Sequence, residues 1–250
     1  MKLNSRAKRL FVDFPLLDGH QGKSTEYQYH YLSHVLRIKE GEEILLFNGK
    51  DGEWLAKISY KPKKTINFDI IHQTRVQTQP FDFQYIFSPI KTKRLDYMIQ
   101  KSVEMGVSVI TPVIMRYTQN KISDMNRIRT YAISAAEQCN IITIPSIHPP
   151  VALDAILDNW DKNRHVIFAD ETYCQKNSLK IIQEIPNTSS IAIIVGPEGG
   201  FHPDEIEKLR SLPFVTPISL GPRILRSDTA AVAAMALVQS ICGDWYEAYK

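Results

Sequence analysis

The apolar pattern of this chain changes period near residue 76, and that change limits the folds open to it. Before it, apolar residues alternate. Glu43–Asn48 (EILLFN) runs into the turn cluster Gly49-Lys50-Asp51-Gly52, and Glu53–Ser59 then places Trp54, Ala56 and Ile58 on one side. Two such runs joined by a glycine-bearing turn predict a β-hairpin. Thr65–Ile71 alternates again through Ile66, Phe68 and Ile70, whereas Tyr27–Ile38 carries Tyr31, Leu32, Val35 and Leu36 at helical spacing. A small barrel-like domain with one short helix is expected, ending near Arg75–Pro80.

Beyond residue 76, strands and helices take turns. Strands are predicted at Phe81–Ser88, Val107–Val113, His165–Ala169, Ser190–Val195 and Phe214–Leu220, and helices at Thr92–Met105, Asn126–Cys139, Val151–Asn159, Pro203–Leu212 and Asp228–Ile241. His202 stands at the cap of the fourth helix, with Pro203 and Glu205 in its first turn. Ser227 or Asp228 is expected to cap the last one. The alanines of Thr229–Ala236 let neighbouring backbones come close, which suits the interior or a dimer seam. Alternating strands and helices predict an α/β domain with a mostly parallel sheet. The expected division is therefore 1–76 and 77–250, and 250 residues suffice for two modest domains.

Composition narrows the class. With 44% hydrophobic and 23% charged residues, a disordered or fibrous chain is excluded. The longest uncharged apolar run, Thr229–Gly243, falls short of the ~20 residues that span a bilayer. Met1–Leu10 is basic without the apolar core of a signal peptide, so a cytoplasmic location is expected. Cys139, Cys174 and Cys242 are read as three reduced, buried thiols. His30 and His34 lie four apart without a carboxylate partner, so no metal is expected. Charge is uneven: residues 1–76 hold 13 Lys and Arg against 9 Asp and Glu, a net +4, and the remainder is −1. That asymmetry suggests a polyanion-docking part beside a chemical part.

Two glycine-bearing loops follow apolar strands: Gly196-Pro197-Glu198-Gly199-Gly200 after Val195, and Leu220–Ser227 (LGPRILRS) after Ser219. Ligands of open α/β sheets bind where strands end at their carboxyl edge. Neither loop is a GxGxxG or a GxxxxGK[ST] phosphate cradle. Both contain proline, and stiff loops of this kind suit an adenosine-type ligand read through backbone N–H and C=O groups. Lys91, Lys93 and Arg94 cluster at a helix start, where they oppose the helix dipole and point to an anion contact.

The pair GPEGGF (Gly196–Phe201) and LGPRILRSDTAA (Leu220–Ala231) resembles the small-subunit (16S) ribosomal RNA (uracil-N3)-methyltransferase family. HVLRIKEGEEILLFNG (His34–Gly49), KTKRLDYMIQKSVEMGVSVITPV (Lys91–Val113) and AAEQC (Ala135–Cys139) resemble its other signatures, and the likeness runs from about Arg9 to the C-terminal end. The chain departs from the family pattern at Tyr117, Ile141 and His202, where Ser, Arg and Ser or Thr are usual.

The resemblance implies an N-terminal PUA-like β-barrel and a C-terminal SPOUT-type α/β domain tied in a trefoil knot. It implies S-adenosyl methionine as cofactor, a homodimer, and N3-methyluridine in small-subunit RNA within an assembled or nearly assembled subunit. Cofactor contacts are then expected at Glu171, Val195, Gly196, Gly199, Gly200, Leu220, Gly221, Ile224 and Leu225. RNA contacts are expected at Lys8, Arg9 and Arg37 and at the Lys91, Lys93 and Arg94 cluster.

Methylating a uracil imide needs its proton removed and its developing charge stabilised. Arg226 is the candidate for stabilising that charge and Glu198 for taking the proton. Arg226 could instead pair with Asp228 or Glu198, and Glu198 could tie down loop N–H groups. Two other readings stay open: a related enzyme that methylates a ribose 2′-hydroxyl, and a non-catalytic RNA-binding assembly factor.

Overall fold

The structure, a computed structural model, describes residues 8–122, 124–173, 177–185 and 190–247; Cys174 lies outside them. The chain forms two compact units. The first holds the described residues up to Gln79 together with Ala136–Ile144, and the second holds Pro80–Ala135 and the remainder from Pro145.

The first unit is built on a five-stranded sheet. Its elements are β1 (Arg9–Phe11), β2 (Gln21–Lys23), α1 (Glu26–His30), a wide turn at Tyr31–Val35, β3 (Glu43–Phe47), β4 (Glu53–Lys61) and β5 (Thr65–Arg75). The sheet order is β1-β3-β4-β5-β2, antiparallel except that β1 runs parallel to β3. The expected hairpin is β3–β4. Ala56, Ile58, Ile66, Phe68 and Ile70 turn inward onto Leu10, Leu32, Ile44 and Leu46. The helix expected over Tyr27–Ile38 is shorter. Thr25 and Gln28 cap its start reciprocally, and from Tyr31 the backbone widens, so that Leu36 N–H reaches Tyr31 O, five residues back, at 2.9 Å.

Arg9 departs from its expected place as an RNA contact. Its side chain is only 5% exposed, and its Nε donates to Glu53 Oε2 at 2.8 Å. Nη1 donates to Ala136 O at 2.7 Å and Nη2 to Ile141 O at 3.0 Å. The guanidinium also lies over the Phe47 ring. Glu137 accepts the Phe11 N–H, and burial pushes its carboxyl above the ordinary value. Arg75 donates to Asn140 O. These bonds bring 136–144 into the first unit, which no linear boundary near residue 76 anticipates.

The second unit contains β6 (Asp82–Phe87), α2 (Thr92–Glu104), β7 (Val109–Ile114), α3 (Met125–Gln138, whose end belongs to the first unit), β8 (Ser146–Ile147), β9 (Val151–Ala152), α4 (Leu153–Asp158), β10 (His165–Ala169), α5 (Ser178–Gln183), β11 (Ser190–Val195), α6 (Pro203–Ser211), β12 (Val215–Ile218), α7 (Ser227–Cys242) and α8 (Asp244–Glu247). The strands pair in the order β12-β10-β11-β6-β7-β8, and all these pairings are parallel. Strands buried on both faces read as continuous apolar runs, which is why β11 is SIAIIV and β10 HVIFA. Val166, Phe168, Ala192, Ile194, Phe201 and Leu209 share one core.

The alanine-rich α7 is interior: Ala231, Ala234, Met235 and Val238 are buried. Its expected cap is corrected. The helix begins at Ser227, the N-cap is Arg226 in extended backbone without a side-chain cap, and among the described residues the Asp228 carboxylate accepts only from the Thr229 N–H. Cys139 is exposed rather than buried, while Cys242 is half-buried with its thiol pushed up to about 11 by desolvation. No helix among the described residues is long and apolar enough to cross a membrane.

Candidate active site

Because β10, β11, β12 and β6 run parallel, the segments that follow them all leave from one edge of the sheet. A cavity of about 350 Å³ lies there, walled by the exits of β10, β11 and β12 and by Arg94 from α2. Each wall is held by a local device. After β10, the buried Asp170 accepts the Thr172 N–H at 2.9 Å and Arg210 Nε at 2.8 Å, so this turn is tied to α6. After β11, Gly200 N–H closes onto Pro197 O at 3.0 Å, and Phe201 packs edge-on against Phe168.

His202 then starts α6 as expected: its Nδ1 accepts the Asp204 N–H while Glu205 accepts the His202 N–H. An Nδ1 lone pair here replaces the hydroxyl that usually caps such a helix. After β12, the Leu220–Leu225 loop turns at Gly221, whose φ of +106° suits glycine.

The glycines make room. A Cβ on Gly196 would lie 2.6 Å from the Phe201 ring, and one on Gly200 would meet the Glu171 carboxylate. Of the expected cofactor contacts, Glu171, Val195, Gly196, Gly200, Leu220, Gly221, Ile224 and Leu225 border the cavity. Gly199 does not; a side chain there would face Tyr117 at 3.4 Å. Asp170 lies within the 169–171 stretch expected to meet the cofactor, but its role in tying the β10 exit to Arg210 of α6 has no local sequence signal.

Glu198 and Arg226 also border the cavity, and both are exposed. Among the described residues, neither side chain makes a hydrogen bond or ion pair, nor does the Glu171 carboxylate. Arg226 is thus not held by Asp228 or Glu198, and Glu198 does not tie down the glycine turn. Of the expected RNA contacts in this unit, Arg94 reaches the cavity, whereas Lys91 caps α2 through its backbone and stays exposed with Lys93. In the first unit, Lys8 pairs with Glu42 at 2.8 Å, and Arg37 is exposed with φ +50°. Among the described residues there is no cluster of three or more metal-ligating side chains.

Fold and cavity together define a class: an α/β domain that grips a small ligand with backbone loops at the carboxyl edge of a parallel sheet. Residues 77–239 match the family described as RNA methyltransferase domain, and residues 25–71 match the RNA methyltransferase PUA domain. The ribosomal RNA small subunit methyltransferase E of Rickettsia conorii is 33% identical over 92% of this chain and 94% of its own length. The protein of that name from Neisseria gonorrhoeae, solved with S-adenosyl methionine, superposes with a TM-score of 0.85 at 29% identity, covering 96% of this chain and all of that one. A Legionella pneumophila protein solved with bound cofactor SAM gives 0.84 at 30% identity, covering 94% of this chain and 98% of that one. The chain belongs to the RNA methyltransferase family, with an α/β methyltransferase domain and a PUA domain.

Proposed function

We propose that this chain transfers the methyl group of S-adenosyl methionine to N3 of a uridine in small-subunit (16S) ribosomal RNA. In this reading it acts in the cytoplasm as a homodimer, on RNA within an assembled or nearly assembled subunit. The observation that carries the reading is the backbone-walled cavity with the unpaired Arg226 guanidinium at its border. The names of the relatives support the substrate, and the cofactor bound in two of the superposable structures supports the donor.

The residues present fit the cofactor. The cavity, about 350 Å³, falls within the ~300–1,000 Å³ of small-molecule sites. Side chains at Gly196 and Gly200 would run into the Phe201 ring and the Glu171 carboxylate, so the glycines keep the loop in place. Glu171 offers a carboxylate to an ammonium group, and the backbone of Leu220–Leu225 can hold the adenosine. When bound, S-adenosyl methionine supplies an electrophilic methyl carbon on a sulfonium.

The protein supplies orientation, deprotonation and charge stabilisation. A uridine N3 is nucleophilic only after its imide proton leaves, and in this reading Glu198, a carboxylate at the cavity border, accepts it. The negative charge then spreads to O2 and O4, where the planar fork of Arg226 can pair with it. The N3 electron pair forms the N–CH3 bond as the S–CH3 bond breaks, and that bond's electrons stay on sulfur. Stabilisation that grows with the charge lowers the barrier without tightening the ground state.

Arg226→Ala should therefore lower the single-turnover methylation rate by roughly 10²–10³, with cofactor affinity by calorimetry and melting temperature near wild type. Arg226→Lys should recover only part of the rate. A destabilised Arg226→Ala protein with full activity in its folded fraction would overturn the assignment.

A further inference from the structure

The first unit carries a row of rings that its core does not absorb. Tyr27, His30 and His34 follow one another at helical spacing on α1 and the wide turn. Tyr27 is 77% exposed and the neighbouring Val35 61% exposed. The His30 and His34 rings stack with centroids 4.5 Å apart and planes 12° from parallel. Tyr29 meets His34 edge-on at 6.4 Å and Tyr60 at 6.1 Å, so the surface rings are backed by half-buried ones.

The His34 ring is held in place. Ser33 Oγ donates its one proton to Tyr29 O at 2.6 Å, so in its 2.7 Å bond with His34 Nδ1 the histidine must be the donor. The Nε2 of a neutral His34 is then left as an acceptor. No acidic side chain occurs between Tyr27 and Lys39, and Arg37 and Lys39 are both exposed. Residues 1–76 as a whole carry 13 basic against 9 acidic side chains.

We propose that this face is a stacking surface for unpaired bases of RNA, with Arg37 and Lys39 meeting the phosphates that flank them. Flat rings fixed before binding lose little entropy when a base stacks on them, and adjacent cations track the backbone. That combination is how single-stranded nucleic acid is gripped without reading its sequence. A second copy of the chain is the other occupant such a face could take, but a copy would bring the same cations to the contact, whereas RNA brings opposite charge. The role of the face in delivering substrate rests on the methyltransferase reading; its affinity for RNA does not.

The test uses the full-length chain and a short single-stranded oligoribonucleotide carrying 2-aminopurine, whose emission is quenched by stacking. Wild type should quench it. The double variant Tyr27→Ala, His34→Ala should lose the quench and bind at least about tenfold more weakly, the scale of one lost stacked base. Tyr27→Phe and His34→Phe keep a flat face and should bind nearly as wild type. Arg37→Ala should leave the quench in place and reduce the dependence of log affinity on log salt by about one unit.

The proposal is overturned if the double alanine variant binds and quenches like wild type, or if the phenylalanine variants lose as much as the alanines. It is also overturned if light scattering shows the double variant changing mass while RNA affinity stays constant, which would make the face a contact between copies. A wild-type protein that quenches the oligonucleotide but methylates no small-subunit RNA would refute the proposed function and leave this surface standing.

Discussion

Arg9 and Arg226 bear the same charge and have opposite surroundings. Arg226 is exposed and, among the described residues, unpaired at the edge of the cavity. Arg9 is buried against Glu53, whose side chain is 4% exposed, and serves the carbonyls of Ala136 and Ile141. Desolvation pulls the Arg9 guanidinium below its ordinary value, and the Glu53 carboxylate opposes that shift. Removing one partner of a buried pair leaves the other charged and unsatisfied. Arg9→Ala should therefore destabilise the protein by about 3–5 kcal/mol in denaturant titration. Arg9→Lys should not restore it, because an ammonium cannot serve a carboxylate and two diverging carbonyls with one planar fork. An Arg9→Ala variant of wild-type stability but reduced RNA affinity would return Arg9 to the RNA-facing role that its sequence position suggested. The sequence marks both arginines equally, since burial belongs to what surrounds a residue and not to the residue.

At the scale of elements, the two glycine loops differ in why they need glycine. Gly196 sits over the Phe201 ring, with no space for a Cβ. Gly221 has nothing within 4 Å of its Cβ position, and only its φ of +106° excludes other residues. Gly196→Val should displace Phe201 from the core, lowering both melting temperature and cofactor affinity. Gly221→Val should strain an exposed loop and lower cofactor affinity, with a smaller loss of melting temperature than Gly196→Val. Calorimetry and thermal melts on the same two proteins check this, and undiminished cofactor binding in both would remove the loops from the site. Both loops were legible in the sequence, because a glycine-proline turn after an apolar strand is a local signal. The wide turn at Tyr31–Val35 was not. Its residues have helical spacing, and the extra residue in the turn shows only in the Leu36-to-Tyr31 bond.

At the scale of the molecule, the first unit is discontinuous in sequence. The segment Ala136–Ile144 belongs with the residues up to Gln79. A truncated chain lacking residues 1–79 would deprive Ala136 O, Asn140 O and Ile141 O of the arginines that now bond them, and would leave Glu137 without the Phe11 N–H. Such a truncation should show lower stability and more aggregation than a shorter variant that also replaces 136–144 with a polar linker. Denaturant titration of the two proteins decides it, and equal stability would mean the segment needs no partner. Loss of RNA binding on simple truncation would therefore mix a lost surface with a damaged fold, and point variants on that surface are the cleaner measurement.

What the sequence determined by itself is what local spacing encodes: the β3–β4 hairpin, the alternation of strands and helices after residue 76, the glycine loops, and the His202 cap. Each depends on residues within a turn or two of one another, where period and side-chain chemistry act directly. Tertiary structure decided the rest. The pairing order β12-β10-β11-β6-β7-β8 brings exits from residues 169, 195 and 218 to one edge, and no spacing in the chain records that neighbourhood. The same holds for Arg9 meeting a helix end more than a hundred residues away, and for β1 adding in parallel to β3. Contacts between distant segments form only when whole faces are buried together, so their identity is fixed by packing and hydrogen-bond closure rather than by any one stretch of sequence.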